Sequence, residues 1–261
     1  MCEDHDLLAL GCIVGLFDSI KDFRKNRDDK KIASALAKVK NAKTIREDRV
    51  AAIETLKSLK DADAAVPALL QRFEYSLEHG INDTREKESC MEGIVAFGAE
   101  ALPHVREHLM QTTRIAWPIK LLKALGEESE VIAILKSALD YNDVTFDQAQ
   151  VDKNYDILCY LRDYQLPGFA KDVAHFLRDP DERVRFAATE VLLEQKDDPT
   201  VPPLLEHFIA DESPDDIRMR QLTIQAFLSR GWKLENPGRF PDGHVVGPLY
   251  VSPDHRLVLR Q

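Results

Sequence analysis

The chain has 261 residues, of which 44% are hydrophobic and 31% charged, and its formal net charge is −10. This balance is typical of a folded globular protein and is too apolar for a disordered one. The aromatic content of 7% and the 11 glycines favour helices over a β-rich fold. The acidic charge argues against a general nucleic-acid binder, which needs a basic surface for phosphate contacts.

The N-terminal segment is acidic in Met1–Asp6, where a secretory signal would be basic. The apolar run Leu7–Phe17 is shorter than the about 20 residues that span a bilayer. Its apolar residues have helical spacing, and a short second helix follows near residues 32–39. We expect residues 1–43 to cap the apolar edge of the body, and an amphipathic anchor for a membrane or a partner is the alternative.

Charge is unevenly distributed along the chain. Residues 21–60 contain 13 Lys or Arg against 6 Asp or Glu, so the rest of the chain is strongly acidic. Such a basic segment is either a solvated helical face or a pole that attracts an acidic partner or a membrane surface.

The four cysteines are scattered, at Cys2, Cys12, Cys90 and Cys159. They form no C-x-x-C pair of the kind used in zinc sites or redox motifs. Together with the missing secretory signal, this pattern predicts reduced thiols and a cytoplasmic location.

One phrase occurs twice in the sequence. Arg49–Leu56 is followed by the apolar run Val66–Leu70, and Arg185–Leu192 is followed by Val201–Leu205. In both copies the arginine precedes an alanine by three residues and a leucine by seven, which places them on one helical face. Each copy therefore predicts a pair of helices.

Prolines mark the period of this repetition. Pro67 and Pro103 lie 36 residues apart, as do Pro167 and Pro203, and the gap of 64 residues between them leaves room for one further repeat near Val131. Two helices per unit with such a period are typical of an α-solenoid. We predict about five helical hairpins over residues 44–230.

The helix starts can be predicted from capping residues. Asp63 is expected to cap the second helix of the first repeat, with Pro67 in its first turn. Asp83 or Thr84 is expected to open the next repeat. Pro118 either lies in the first turn of its helix or kinks it.

The C-terminal residues 231–261 are rich in proline and glycine. Val245–Val246 and Leu249–Val251 are expected to pair with Leu257–Leu259 as a small β-hairpin. Because an isolated hairpin is only marginally stable, we expect it to form a lid on the last repeat.

The phrase Asp181–Leu192, followed by Val201–Leu205, resembles the short HEAT repeats first grouped with phycobilin lyases. The resemblance extends over about Thr44–Arg230 and implies an all-α superhelix. In such repeats the leading arginine and an acidic turn residue bridge adjacent units, which implies a structural role for Arg49 and Arg185. Members of this class range from scaffolds to enzymes, so the resemblance implies no single function.

Three enzyme groups share this architecture. Deoxyhypusine hydroxylase-like proteins hold two irons with His-Glu dyads, whereas this chain has only the reverse order, in Glu78-His79, Glu107-His108 and Glu206-His207. HEAT-like DNA glycosylases need a basic groove, and phycobilin lyases offer no short motif to match. We therefore expect no metal, no other cofactor and no nucleic acid.

The sequence also lacks the G-x-S-x-G, phosphate-loop and G-x-G-x-x-G motifs, so no catalytic residue is predicted. The leading hypothesis is a non-enzymatic scaffold or adaptor that mediates protein–protein interaction. The alternatives are a phycobilin-lyase-like or client-binding enzyme subunit, and a peripheral membrane adaptor that uses the N-terminal amphipathic helix.

A partner would be expected to bind where aromatic residues cluster, because Tyr and Trp contribute much of the energy at interfaces. Four of the six tyrosines fall within 24 residues, next to an insertion that breaks the repeat spacing at residues 141–150. The alternative is that these rings fill the gap made by that break. The candidate partner-binding residues are Trp117, Arg114, Lys120, Tyr141, Phe146, Tyr155, Tyr160 and Arg162.

Overall fold

The protein is represented by a computed structural model that describes residues 29–142, 147–210 and 213–260. Contacts divide the chain into two compact units, the first ending at Val131 and the second beginning at Ile132. Helices predominate in the described residues. The predictions for Leu7–Phe17 and for Phe146 lie outside them.

The first unit begins with helical residues 29–40. The helices that follow are α1 (Arg46–Lys57), α2 (Ala62–Leu70), α3 (Gly80–Val95), α4 (Leu102–Gln111) and α5 (Ala116–Leu125). Helix α1 packs on α2 and α3, α2 packs on α3 and α4, and α5 packs on α3 and α4. Each helix thus contacts the next one or two along the chain. Helix α6 (Glu128–Ala138) spans the boundary between the units.

The second unit repeats this sequential packing. Its helices are α7 (Gln148–Leu161), α8 (Ala170–His175), α9 (Glu182–Glu194), α10 (Val201–Leu205), α11 (His207–Ala210) and α12 (Ile217–Arg230). Helix α9 lies at the centre and contacts α7, α8, α10 and α12, while α8 also packs on α10. Both units are therefore mainly helical, and in both the helices pack on helices that are near them in sequence.

The prediction of Asp63 as an N-cap was wrong. Asp61 caps α2 instead, and its carboxylate accepts a hydrogen bond from the Asp63 backbone N–H at 3.0 Å. The helix consequently begins at Ala62, and Pro67 lies inside it rather than in its first turn. A proline there supplies no N–H to the carbonyl four residues earlier.

Helix α3 also begins earlier than predicted, at Gly80, with His79 as its N-cap. Asp83 and Thr84 therefore lie within the helix. The Asp83 carboxylate instead accepts a hydrogen bond from the Arg72 guanidinium at 2.7 Å. The Asp83 side chain, which the sequence predicted as a local N-cap, thus forms a tertiary ion pair instead.

The start of α5 agrees with the sequence. Pro118 is the third residue of α5, so it lies in the first turn. Asp181 caps α9 and accepts a hydrogen bond from the Arg183 backbone N–H at 2.8 Å.

The C-terminal residues form an antiparallel sheet in the order β1 (His244–Val246), β2 (Leu249–Val251) and β3 (Leu257–Leu259). The predicted pairing of β2 with β3 is confirmed, with Tyr250 opposite Val258. The first strand adds to this hairpin instead of pairing with β3. The inner face of the sheet packs on the last helices in a cluster whose buried members are Ile209, Phe227, Leu234, Val245, Leu249 and Leu257.

A buried carboxylate joins this tail to the helices. Glu206, at the junction of α10 and α11, accepts hydrogen bonds from the backbone N–H groups of Glu235 and Asn236, both at 2.8 Å. The isolated β-bridge between Lys233 and Arg256 ties the start of the tail to the loop before β3. The tail is thus held by polar contacts as well as by the apolar cluster.

Candidate functional site

The two leading arginines each join their own helix to a segment more than 30 residues further along the chain. Arg49 on α1 donates two hydrogen bonds to the Glu86 carboxylate on α3, at 2.6 and 2.9 Å. Arg185 on α9 donates to the Asp216 carboxylate, next to α12, at 2.9 Å. Each arginine also donates to a backbone carbonyl a few residues before its own helix, that of Thr44 or that of Asp179. Their structural role is confirmed.

Around Arg49 the bridge extends into a buried ion network that sequence reasoning missed. The fully buried Arg72 lies 2.9 Å from Glu86 and 2.7 Å from Asp83, and Lys87 lies 2.7 Å from the other Asp83 oxygen. The Arg72 guanidinium also lies over the Tyr75 ring, 4.4 Å from its centroid. The signal in the sequence was Arg72, two residues after the apolar run that ends α2 at Leu70 and just before the buried Phe73.

The network sets the protonation of its own carboxylates. Burial acts to raise the pKa of Glu86, but hydrogen bonds and charges from Arg49 and Arg72 outweigh it and hold that pKa below its ordinary value. The pKa of Asp83 is likewise lowered, because hydrogen bonds from Lys87, Arg72 and the Leu77 backbone outweigh its burial. Both carboxylates are charged at neutral pH and already paired, so the network suits a structural role.

The predicted aromatic site in the first unit is half-buried. Trp117 stacks on the buried Phe73 with ring centroids 5.5 Å apart, and the Lys120 ammonium lies 4.2 Å from the Trp117 ring centroid. Arg114 is exposed. Trp117 therefore contributes to the core through the face that meets Phe73.

In the second unit the predicted residues on α7 have different neighbours. Tyr155 lies under the guanidinium of Arg183, 5.5 Å from ring centroid to Cζ, while Tyr160 stacks on Tyr164 at 6.1 Å. The pKa of Tyr155 is raised, chiefly by its hydrogen bond with Cys159.

Arg162, near the end of α7, forms an ion pair with Glu190 at 3.1 Å. The tyrosines of this stretch thus divide among separate local contacts.

Tyr141 differs because it packs on two residues that line a cleft, His175 and Phe176. Its ring meets His175 edge-on at 5.4 Å and tilts against Phe176 at 5.1 Å, and it remains 39% exposed. Burial of its hydroxyl raises its pKa to about 12, with a further contribution from the Asp172 charge. The hydroxyl is therefore protonated at neutral pH and is able to donate a hydrogen bond.

The cleft beside Tyr141 has a volume of about 600 Å³ and runs along α8. A second cleft of about 640 Å³ lies at the loops before α8 and α10, and Lys171 lines both. We call the two together the α8 groove. Its lining comes from residues 140 and 142, α8 with the turn to Pro180, residues 165–168 and 195–200, and Leu204 with His207.

One helical face forms the main wall of the α8 groove. Four lining residues lie on the same side of α8 and its 3-10 extension: Lys171, Ala174, His175 and Arg178. The last three lie three, four and seven residues after Lys171, which is the spacing of one helical face. Cations therefore mark both ends of the wall, with a small residue between them. This spacing was visible in the sequence, but nothing there indicated that the face lines a cleft.

Carboxylates provide the opposite charge in the same groove. Asp140 is positioned by the buried Asn154, which accepts from the Asp140 N–H and donates to its carbonyl, both at 2.9 Å. Burial raises the pKa of Asp179, helped by the charge of Asp181. Asp198, in the second cleft, accepts from the Thr200 hydroxyl at 2.7 Å. The groove thus presents a mixed pattern of charge suited to a polar peptide segment.

The three Glu-His pairs have separate structural environments. His79 caps α3, accepting a hydrogen bond from Asn82, and the His108 Nε2 lies 2.9 Å from a Glu74 oxygen. Glu206 holds the tail, while the Nδ1 of His207 lies 3.0 Å from the Leu204 carbonyl oxygen. Among the described residues, no three His, Cys, Asp or Glu side chains are grouped as metal ligands.

Comparisons with protein-family models, with curated proteins and with solved structures found no match to this chain. In the part of the chain that the structure describes, no helix is both long and apolar enough to cross a membrane.

Proposed function

We propose that this protein is a non-enzymatic scaffold of HEAT-like helical repeats that binds a segment of a partner protein in the α8 groove. The observation that carries the proposal is the groove itself, which combines a cationic helical face with nearby carboxylates. The half-exposed Tyr141 packs on its wall at His175 and Phe176. Interfaces are commonly anchored by such an aromatic residue and specified by the surrounding charges.

The repeat architecture is supported by the spacing of the arginine bridges. Arg49 and Glu86 are 37 residues apart, and Arg185 and Asp216 are 31 residues apart, about one period of the prolines in each case. Each bridge joins a helix to the corresponding helix of the next repeat. Repeats that contact only their neighbours build the extended surfaces that scaffolds use.

The buried ionisable groups of the arginine network and of the tail junction are paired with one another or with the backbone, which favours a structural role for them. Arg49, Arg72, Glu86 and Asp83 bond to one another, and Glu206 bonds to backbone N–H groups. An active site, by contrast, uses perturbed groups that face a substrate cleft. The free thiols of Cys90 and Cys159 suit a reducing compartment such as the cytoplasm.

The proposal is tested by site-specific photo-crosslinking in the native host. A photoreactive amino acid at Ala174, inside the α8 groove, should capture one protein that the same group at the exposed Gln221 on α12 does not. Lys171→Glu should abolish that crosslink while leaving the unfolding transition of the second unit unchanged. Tyr141→Ala should abolish it in protein that is still folded, with a lowered unfolding midpoint because the ring packs on the buried Phe176.

Two results would overturn this function. One is a partner that crosslinks equally from Gln221, or that still crosslinks at Ala174 in both folded groove variants. The other is a tetrapyrrole that copurifies at one equivalent per chain, because it would favour the phycobilin-lyase-like alternative.

A further inference from the structure

A second groove lies in the first unit, between helical residues 29–40 and α1. Its volume is about 500 Å³, and three lysines of one helix line it: Lys30, Lys31 and Lys38. We call it the lysine groove. It belongs to the segment 21–60, in which Lys and Arg outnumber Asp and Glu by 13 to 6.

Every ionisable residue that lines the lysine groove is a cation. Lys30 and Lys31 are exposed, and Lys38 is 42% exposed in its side chain. Lys38 lies 3.2 Å from an Asp48 oxygen, but both groups are exposed and such a pair contributes little. All three ammonium groups are therefore accessible to an anionic ligand.

The floor of the lysine groove consists of small side chains. Ser34 and the buried Ala35 come from the first helix, and Ala51, the buried Ala52 and Thr55 come from α1. The Thr55 hydroxyl donates to the Ala51 carbonyl at 2.8 Å, so it is already satisfied within its own helix. Small residues let the backbone of another segment approach closely, as in recognition of a helix by a groove.

We propose that the lysine groove binds an acidic helical segment of a protein partner. Lys30 and Lys38 are separated by about two helical turns, roughly 12 Å along the axis, so carboxylates repeated along one helical face would meet them in turn. The positive charge of the three lysines determines the choice of an acidic occupant, and the small residues of the floor leave room for the backbone of a peptide. A nucleic acid is disfavoured by the net charge of −10 of the whole chain.

The probe for this inference is a fluorescein-labelled helical peptide rich in Glu, Ala and Leu, measured by fluorescence anisotropy on the full chain. Replacing Lys30, Lys31 and Lys38 together with Glu should weaken its binding by about tenfold or more. The matched control replaces Lys40, Lys43 and Lys60 with Glu, since these exposed lysines lie outside the groove and change the net charge equally. We expect about a twofold effect from that control, since only the long-range field changes.

A variant without charge change separates the groove from general electrostatics. Ala51→Trp fills the lysine groove from an exposed position and should weaken binding as strongly as the triple lysine variant. Equal losses in both lysine triples, or full binding by the Ala51→Trp variant, would overturn the inference. Tight binding of phosphatidylserine vesicles that Ala51→Trp leaves intact would do the same and would favour a membrane.

The result is independent of the α8 groove. Lys171→Glu should leave binding of the acidic peptide unchanged, because Lys171 lines a groove of the second unit. If the acidic peptide did not bind the lysine groove, the proposed partner site in the α8 groove would therefore be unaffected. If the α8 groove bound no partner, the inference about the lysine groove would likewise be unaffected.

Discussion

Arg49 in the first unit and Arg185 in the second begin the same repeated phrase, but their surroundings differ. The Arg49 side chain is 4% exposed and shares Glu86 with a second buried arginine, whereas the Arg185 side chain is 13% exposed and bonds to Asp216 and backbone carbonyls. In both units the phrase thus begins with an arginine that bonds to a carboxylate more than 30 residues further along the chain. The neighbouring residues decide whether that bridge is an accessible pair or part of a buried network.

The chain offers one fluorescent reporter for each unit. Its two tryptophans are Trp117 in the first unit and Trp232 in the second. In the Trp232→Phe variant the remaining tryptophan, Trp117, reports on the first unit. In the Trp117→Phe variant the remaining tryptophan, Trp232, reports on the second unit. Urea unfolding of each variant can therefore be followed unit by unit.

The largest effect is expected from Glu86→Ala. Its removal leaves Arg49 and Arg72 buried without their shared carboxylate, and breaking a buried ion pair from one side costs about 3–5 kcal/mol. Urea unfolding in the Trp232→Phe background measures the loss. The control Glu88→Ala, at an exposed position on the same helix, should change stability by less than about 0.5 kcal/mol. Equal effects of the two changes would contradict the buried network.

Trp117→Ala is expected to come next. Trp117 stacks on the buried Phe73, so truncation of its ring should cost about 2–3 kcal/mol, below the value for a fully buried ring. Tyr155→Ala in the second unit should cost less than about 1 kcal/mol, because its recorded contacts are with Arg183 and Cys159 near the surface. Thermal unfolding followed by circular dichroism compares the two. A larger loss for Tyr155 would show that the ring on α7 serves the core.

Arg185→Ala should have a smaller effect than Glu86→Ala. It removes charge-assisted hydrogen bonds that are partly accessible to water, which corresponds to about 1.5–2 kcal/mol. The neighbouring Arg183 is the control, since its pairs with Asp152 and Asp181 are exposed and Arg183→Ala should cost less than about 1 kcal/mol. Both are measured in the Trp117→Phe background. If Arg183→Ala proved the more damaging change, the bridge to Asp216 would not be the structural contact of this repeat.

The smallest and most gradual effect is expected from pH, which should change the stability of the two units by different amounts. Asp83 and Glu86 have pKa values below their ordinary ones, so each contributes stability that is present above its unfolded pKa, near 4, and is lost as the pH falls through its folded pKa. The first unit should therefore weaken steadily as the pH falls below about 4.

Acid should weaken the second unit less. Burial raises the pKa of Asp156 and of Asp179, so these two carboxyls favour the folded state as they become protonated. They oppose the loss from Asp152 and Asp181, whose pKa values are lowered. Urea midpoints of the two single-tryptophan variants measured from pH 5 to pH 3 would test the comparison, and a steeper decline in the second unit would refute it.

Some parts of the fold could be predicted because they depend on nearby residues. The helix pairs follow from apolar periodicity, and the pairing of β2 with β3 follows from a short turn between apolar runs. The start of α2 was missed because Asp61 and Asp63 are equally good caps. The start of α3 was missed because His79 is not one of the residue types preferred at an N-cap. For Asp83 the outcome depended on Arg72, which a local pattern does not reveal.

The candidate site was much less predictable. Sequence reasoning singled out Tyr141 for its residue type, but the α8 groove needs residues from four separate segments of the second unit. Lys171 and Arg178 had the spacing of a helical face without any sign that the face borders a cleft. Trp117 was proposed as a partner contact, and its stacking on Phe73 became visible only with the fold.

The sequence by itself determined the helical class, the order of the helix pairs and the arginine that leads each repeated phrase, because periodicity and capping act within a few residues. Only the tertiary structure decided which carboxylate each arginine meets, how deeply that pair is buried and where the grooves open. Those properties arise from the packing of helices that are distant in sequence, since burial and charge pairing depend on all the neighbours of a side chain.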